Sequence, residues 1–286
     1  MSAAFDAIWD AVDADLARVP MAAELQPLPM RSTDAATTYS VRLTSVGPYR
    51  TFGYYSVPNV PPPVPGLLLT PRYGSVNHVP DYMDRERYAV LQLVHRGQRL
   101  ADQPFGAAYP GLLTLGIDNP ENYIYRSIVA DCLRGAEFLL SRPEVDLTRV
   151  GVQGDDLALI TAARRTGFRA VQVSDLLLHR VLESSQRSDA YPAEELNDFL
   201  RAHPQSRQAV KDTLAYFDPI HHAPRVRSTT LVAMSDDQLE PLRAKVGGPT
   251  EKYTLSHHGS VDHDWVDGWL ARQLGAQPRS RFRAHV

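Results

Sequence analysis

Arg149-Val150-Gly151-Val152-Gln153-Gly154-Asp155-Asp156-Leu157-Ala158-Leu159 leads a β-like run through small and acidic residues into an Ala-rich helical run. A strand that turns sharply into a helix, with small residues at Gly154 and Ala158 to let the backbone bend, is the layout of a nucleophile elbow. Such a turn pushes one side chain into a site above the end of a sheet. Serine is the residue expected at the tip, and the spacing places Asp156 there.

Outward from this junction the pattern alternates between strand and helix. Short apolar runs at 66–70, 88–94, 150–152, 168–173 and 230–234 read as buried strands. Helical periodicity marks 120–141, stopped by Arg142-Pro143, then 156–165 and 262–274. This order predicts an α/β fold with a mostly parallel sheet and helices on both faces. Residues 38–57 alternate in polarity and predict an antiparallel hairpin, followed by a stiff Pro-rich loop over 58–65. The N-terminal helix over 3–18 carries Phe5, Ile8, Trp9, Val12 and Leu16 at helical spacing and reads as a surface helix. The organisation expected is an N-terminal helix and extension over 1–37, one α/β domain over 38–274 with a helical insertion near 175–215, and a basic tail over 275–286.

Composition narrows the classes of function. With 43% hydrophobic and 22% charged residues, the chain matches an ordinary globular protein. The net charge of −3 comes without a dense Lys/Arg block, so a nucleic-acid partner is not expected. Cys132 alone makes no internal disulfide, sits on a helical pattern and reads as core. Cys and His spacings fit no zinc site, so neither metal nor cofactor is expected. No apolar run is long enough for a bilayer, and the acidic start lacks the basic, continuously apolar form of a signal peptide. Cytoplasmic placement, no membrane partner and a small-molecule ligand are the resulting expectations.

Four motifs in order resemble the acetyl xylan esterase / cephalosporin C deacetylase family of α/β-hydrolases. They are His95-Arg96-Gly97-Gln98, the Tyr-rich segment 116–126 ending in Arg126, the lead-in 142–150 to the elbow, and Tyr216-Phe217-Asp218. The resemblance spans roughly residues 38–272. It implies an α/β-hydrolase fold, hydrolysis of small acetyl esters, a ring-like homo-oligomer, and a Ser-His-Asp triad with backbone oxyanion donors. Carried onto this chain, it makes Asp236 the triad acid, with Asp237 as a rival, and His258 the base, with His257 and His263 as alternatives. Tyr73 and Leu157 would supply the oxyanion N–H groups. The chain departs from the family pattern at the elbow, where Asp156 replaces Ser and Leu157 replaces Gln.

That exchange decides the chemistry. A carboxylate has no hydroxyl for a histidine to activate, and its attack on an acetyl ester gives a mixed anhydride. Asp156 is left with three roles: a surface cap of the following helix, a nucleophile toward an sp³ carbon, or a base on water beside His258. Acids around His258 favour the imidazolium, a poor base. Elsewhere Arg96 reads as a structural tie to carboxylates or carbonyls. Tyr123, Tyr125 and Arg126 read as packing and interface residues, and His221 and His222 as part of a surface turn.

Overall fold

The structure is a computed structural model that describes residues 3–74, 76–234, 236–256 and 258–282, with the backbone alone at 236–239. The strands are β1 (Glu24–Pro27), β2 (Ala36–Ser45), β3 (Tyr49–Pro58), β4 (Val64–Leu69), β5 (Ala89–Val94), β6 (Val145–Gly154), β7 (Ala170–Val173), β8 (Thr229–Met234) and β9 (Thr250–Thr254). They form one sheet in the order β1-β2-β3-β5-β4-β6-β7-β8-β9. From β5 through β4 to β9 every neighbouring pair is parallel, and β1, β2 and β3 extend the sheet antiparallel. This is the α/β-hydrolase arrangement expected from the alternation of strands and helices.

The central strands bury both faces, which is why they read as unbroken apolar runs. Leu67, Val90, Ala170 and Leu231 point to one side, where Trp269, Leu270 and Leu274 of α10 (Gly259–Leu274) cover them. Leu68, Leu91, Val152 and Val171 point to the other side, into a larger core with α3 (Ile124–Leu140) and α4 (Asp156–Arg164). The N-terminal helix α1 (Ala3–Ala17) belongs to that larger core as well. Phe5, Trp9, Val12 and Leu16 are all buried in it, so the surface-helix reading holds for its outer face only. Trp9 meets the Phe217 ring edge-on at 5.4 Å and the His222 ring at 5.0 Å.

His222 corrects the surface-turn expectation. It ends the short helix α8 (Pro219–His222), is fully buried beneath α1, and its Nε2 lies 2.9 Å from the Tyr216 carbonyl. Burial pushes its pKa down to about 3. Strands β1 and β9 escaped sequence analysis because neither alternates: both are short outer strands whose residues are mostly exposed.

The insertion carries α5 (Val181–Ser185), α6 (Glu194–Ala202) and α7 (Arg207–Leu214), with Leu196, Leu200, Val210 and Leu214 packed into the main core. Two further short helices are α2 (Tyr82–Arg85) and α9 (Asp236–Arg243). Cys132 is buried on α3, as expected. Arg96 is the structural tie expected of it: its guanidinium forks onto Asp131 at 2.7 and 3.0 Å and also donates to the Val46 carbonyl.

If α1 is core rather than appendage, Trp9→Ala should lower unfolding stability by about 3–5 kcal/mol, the usual cost of emptying a buried aromatic site. Urea denaturation followed by circular dichroism measures this. A loss below about 1 kcal/mol, typical of surface positions, would show that α1 contributes little to the core.

Candidate active site at the reversal point of the sheet

Strands β4 and β6 lie side by side, yet β5 follows β4 on one flank while β7 and β8 follow β6 on the other. Open α/β sheets bind ligands in the crevice that such a reversal leaves at the carboxyl ends of the strands. Here those ends carry Pro71-Arg72-Tyr73 after β4 and Gly154-Asp155-Asp156 after β6. Gly154 is required by close approach: a Cβ there would sit 2.0 Å from Thr70 Oγ1.

The residue at the bend is Asp155. It is the N-cap of α4, with φ −102° and ψ −144°, and its carboxylate accepts the Leu157 N–H at 3.0 Å. Asp156 is the first residue of the helix and is 2% exposed. So the helix cap expected of Asp156 is made by Asp155, and Asp156 is not a surface residue. A nucleophile elbow stores strain at its tip. Among the described residues the non-glycine positions at positive φ are Ala22, Leu100, Asp175 and Arg180, so neither aspartate carries that strain.

Asp156 turns inward, away from the bend. Its Oδ2 accepts the Leu177 N–H at 2.7 Å and its Oδ1 the Leu178 N–H at 3.1 Å. Burial holds its pKa well above the carboxylate range; the adjacent Asp155 adds to this, and the two amides work against it. Burial also pushes Asp155 up to about 6, opposed by its bond to Leu157 and by the charge of Arg72, and reinforced by Asp175.

The other expected site residues that are described take partners of their own. Leu157 directs its N–H at Asp155, as described. Tyr73 is half-buried, and its hydroxyl donates to Glu195 Oε1 at 2.7 Å. His258 is exposed at the N-cap of α10, where its N–H reaches Ser256 Oγ at 3.2 Å and its ring lies 6.2 Å from that of Phe282. Asp236 and Asp237 open α9, but their side chains lie outside the described residues, as does His257 altogether. His263 lies on α10, with Nδ1 3.3 Å from Asp264 Oδ1. Among the described residues no hydrogen bond or ion pair joins Asp156 to an imidazole.

Several residues that the sequence did not single out organise the crevice. Glu195, buried on α6, accepts the Tyr73 hydroxyl and the N–H groups of Gly111 (2.7 Å) and Leu113 (3.2 Å). It thereby fastens the insertion to the loop after β4. The ring of Tyr73 meets those of Tyr109 at 5.4 Å and Tyr191 at 5.8 Å. Asp262 holds the histidine loop from below by accepting the Tyr253 hydroxyl and the Ser256 N–H.

An aspartate–histidine pair does exist, but on other elements. His179 Nδ1 lies 2.9 Å from Asp218 Oδ1, and Asp218 also accepts the N–H groups of Arg180 and Ile220. His179 directly follows the two leucines whose amides hold Asp156. Nothing in sequence spacing marks this pair, because it joins residues 39 positions apart. Among the described residues, no group of His, Cys, Asp and Glu is arranged to hold a metal ion.

Comparison with known proteins agrees with this architecture. The family described as acetyl xylan esterase (AXE1) matches residues 1–244. The acetyl esterase Axe7A of Xylanibacter ruminicola is 24% identical over 240 residues, covering 78% of this chain and 53% of that protein. The chain therefore spans about half the length of that relative. The solved acetyl xylan esterase of a Paenibacillus species superposes with a TM-score of 0.78 at 25% identity, over 90% of this chain and 89% of the other. Acetyl xylan esterase 1 of a Thermoanaerobacterium species gives 0.78 at 19% identity, over 95% and 94%, a likeness of fold.

The raised pKa of Asp155 sets a pH dependence. Asp155 keeps its proton up to about pH 6 in the folded chain, against 3.8 as its ordinary value. The folded state thus binds more protons between these values, and stability from this group falls as pH rises through them. The stability of the native chain minus that of Asp155→Asn should fall between about pH 4 and pH 6 in urea titrations. A difference that rises with pH would mean that Arg72 and the helix N-terminus hold Asp155 ionised.

Proposed function

This chain belongs to the acetyl xylan esterase family, and on that footing we propose that serine-type ester hydrolysis is lost or strongly weakened in it. The crevice at the ends of β4 and β6 is kept for a small acyl-bearing or polar ligand. The observation that carries this reading is the Leu157 N–H. It donates to the Asp155 carboxylate at 3.0 Å, whereas an oxyanion donor must point at the place where substrate charge develops. Residues 154–156 carry no hydroxyl, and Asp156 is enclosed with both oxygens on the amides of Leu177 and Leu178. That enclosure also speaks against Asp156 as a nucleophile toward an alkyl carbon, which needs an oxygen facing the substrate.

Losing a triad member costs about 10⁴–10⁶ in rate, and one missing oxyanion donor costs a further ~10²–10³. On p-nitrophenyl acetate the native chain should therefore show a kcat/KM below about 10² M⁻¹s⁻¹, far under the ~10⁴–10⁸ M⁻¹s⁻¹ of ordinary enzymes. Asp156→Ser should stay low, because the side chain at 156 turns inward and Asp155 still occupies the Leu157 N–H. Asp155→Gly should exceed the native chain by about ten-fold, as one donor is returned without a nucleophile. Ordinary turnover by the native chain would overturn the proposal.

A further inference from the structure

A second concavity, of about 400 Å³, lies beside the C-terminal end of α1 and is lined by Asp15, Arg18, Val19, Val46, Gly47, Arg96, Arg126 and Ser127. It is large enough for a small ligand. Three arginines line it against one aspartate. Arg96 is balanced by Asp131 beneath it. Arg126 and Arg18 share the single carboxylate of Asp15: Arg126 Nη2 lies 2.8 Å from Asp15 Oδ2, and Arg18 pairs with Asp15 Oδ1. The concavity thus holds one positive charge beyond its carboxylates.

Asp15 lies in the last turn of α1 and is the one carboxylate shared by the two guanidinium groups. It occupies the position between two guanidinium forks that an external oxyanion would take. Guanidinium forks match the oxygens of phosphate, bind them bidentately and are more readily desolvated than ammonium groups. Arg126 is held in the first turn of α3, and the N-cap of that helix, Tyr123, gives it no side-chain acceptor. The positive end of α3 therefore adds to the field at the concavity.

We propose that this concavity binds a phosphate group, either free phosphate or a phosphate monoester, with Asp15 as the internal stand-in that the ligand displaces. Arg126 and Arg18 are the anchors, and Arg96, held by Asp131, forms the back wall. The site is separate from the crevice at Asp155, and the proposal is independent of whether that crevice hydrolyses esters.

Isothermal titration calorimetry of the full chain with inorganic phosphate and with ribose 5-phosphate tests this, with ionic strength matched by sodium chloride. Both probes should release heat beyond the chloride control. A tighter ribose 5-phosphate assigns the site to a monoester, and equal affinities assign it to the phosphate group itself. Arg126→Gln and Arg18→Gln should each weaken binding at least about ten-fold, the loss of one charge-assisted hydrogen bond. The Arg18 side chain is 73% exposed, so that variant keeps the fold even if Arg126→Gln does not. Asp15→Asn should bind phosphate more tightly than the native chain, because it frees both guanidinium groups and removes the competing negative charge. No heat beyond chloride, or an Asp15→Asn variant that binds no better than native, would overturn the proposal.

Discussion

The constraint on which the centre of this molecule depends is the passage of Gly154 against Thr70. With 2.0 Å between a notional Cβ and the threonine hydroxyl oxygen, a side chain at 154 would have to displace Thr70, and β6 ends at this glycine. The helix that follows begins with backbone N–H groups that need acceptors. Asp155 supplies one for Leu157. Asp156, one step on, is rotated into the interior and satisfies Leu177 and Leu178 instead. The next two residues of that loop, His179 and Arg180, are in turn tied to Asp218, which caps α8. A chain of carboxylates receiving backbone donors thus runs from the bend to the helix beneath α1. In a serine hydrolase the first of these donors, the Leu157 N–H, would have to remain open to substrate.

Around this centre the helices are fixed by apolar burial first and by arginines second. Trp9 and its neighbours supply the larger energy, because exposed ion pairs contribute little each. The acids of α1 nonetheless meet arginines of three other segments: Arg126, Arg164 with Arg165, and Arg225. Arg134 reaches back to the Leu16 and Val19 carbonyls at the end of α1. These contacts set how α1 lies on the core, and the concavity beside Arg126 is a product of that placement.

The layers of the fold were legible because fully buried parallel strands and amphipathic helices leave unmistakable periods in sequence. The helix start after Gly154, the hairpin at β2 and β3, and the burial of Cys132 follow from local pattern alone. Strands β1 and β9 were not legible, since a short, exposed outer strand has no apolar alternation to detect. His222 was misread for a related reason: a histidine beside Pro219 suits a turn, and only the docking of α1 over it takes it out of solvent.

The site shows the same division more sharply. Sequence by itself determined that a strand turns sharply into a helix after Gly154, that two aspartates stand at that turn, and which family the surrounding motifs resemble. Only the tertiary structure decided which of two adjacent aspartates caps the helix, which one turns inward, and that Glu195 and Asp218 fasten the neighbouring loops. The physical reason is that a side chain's identity and spacing are written locally. The donor it satisfies is chosen by segments far away in the chain, and that choice exists only once they are packed together.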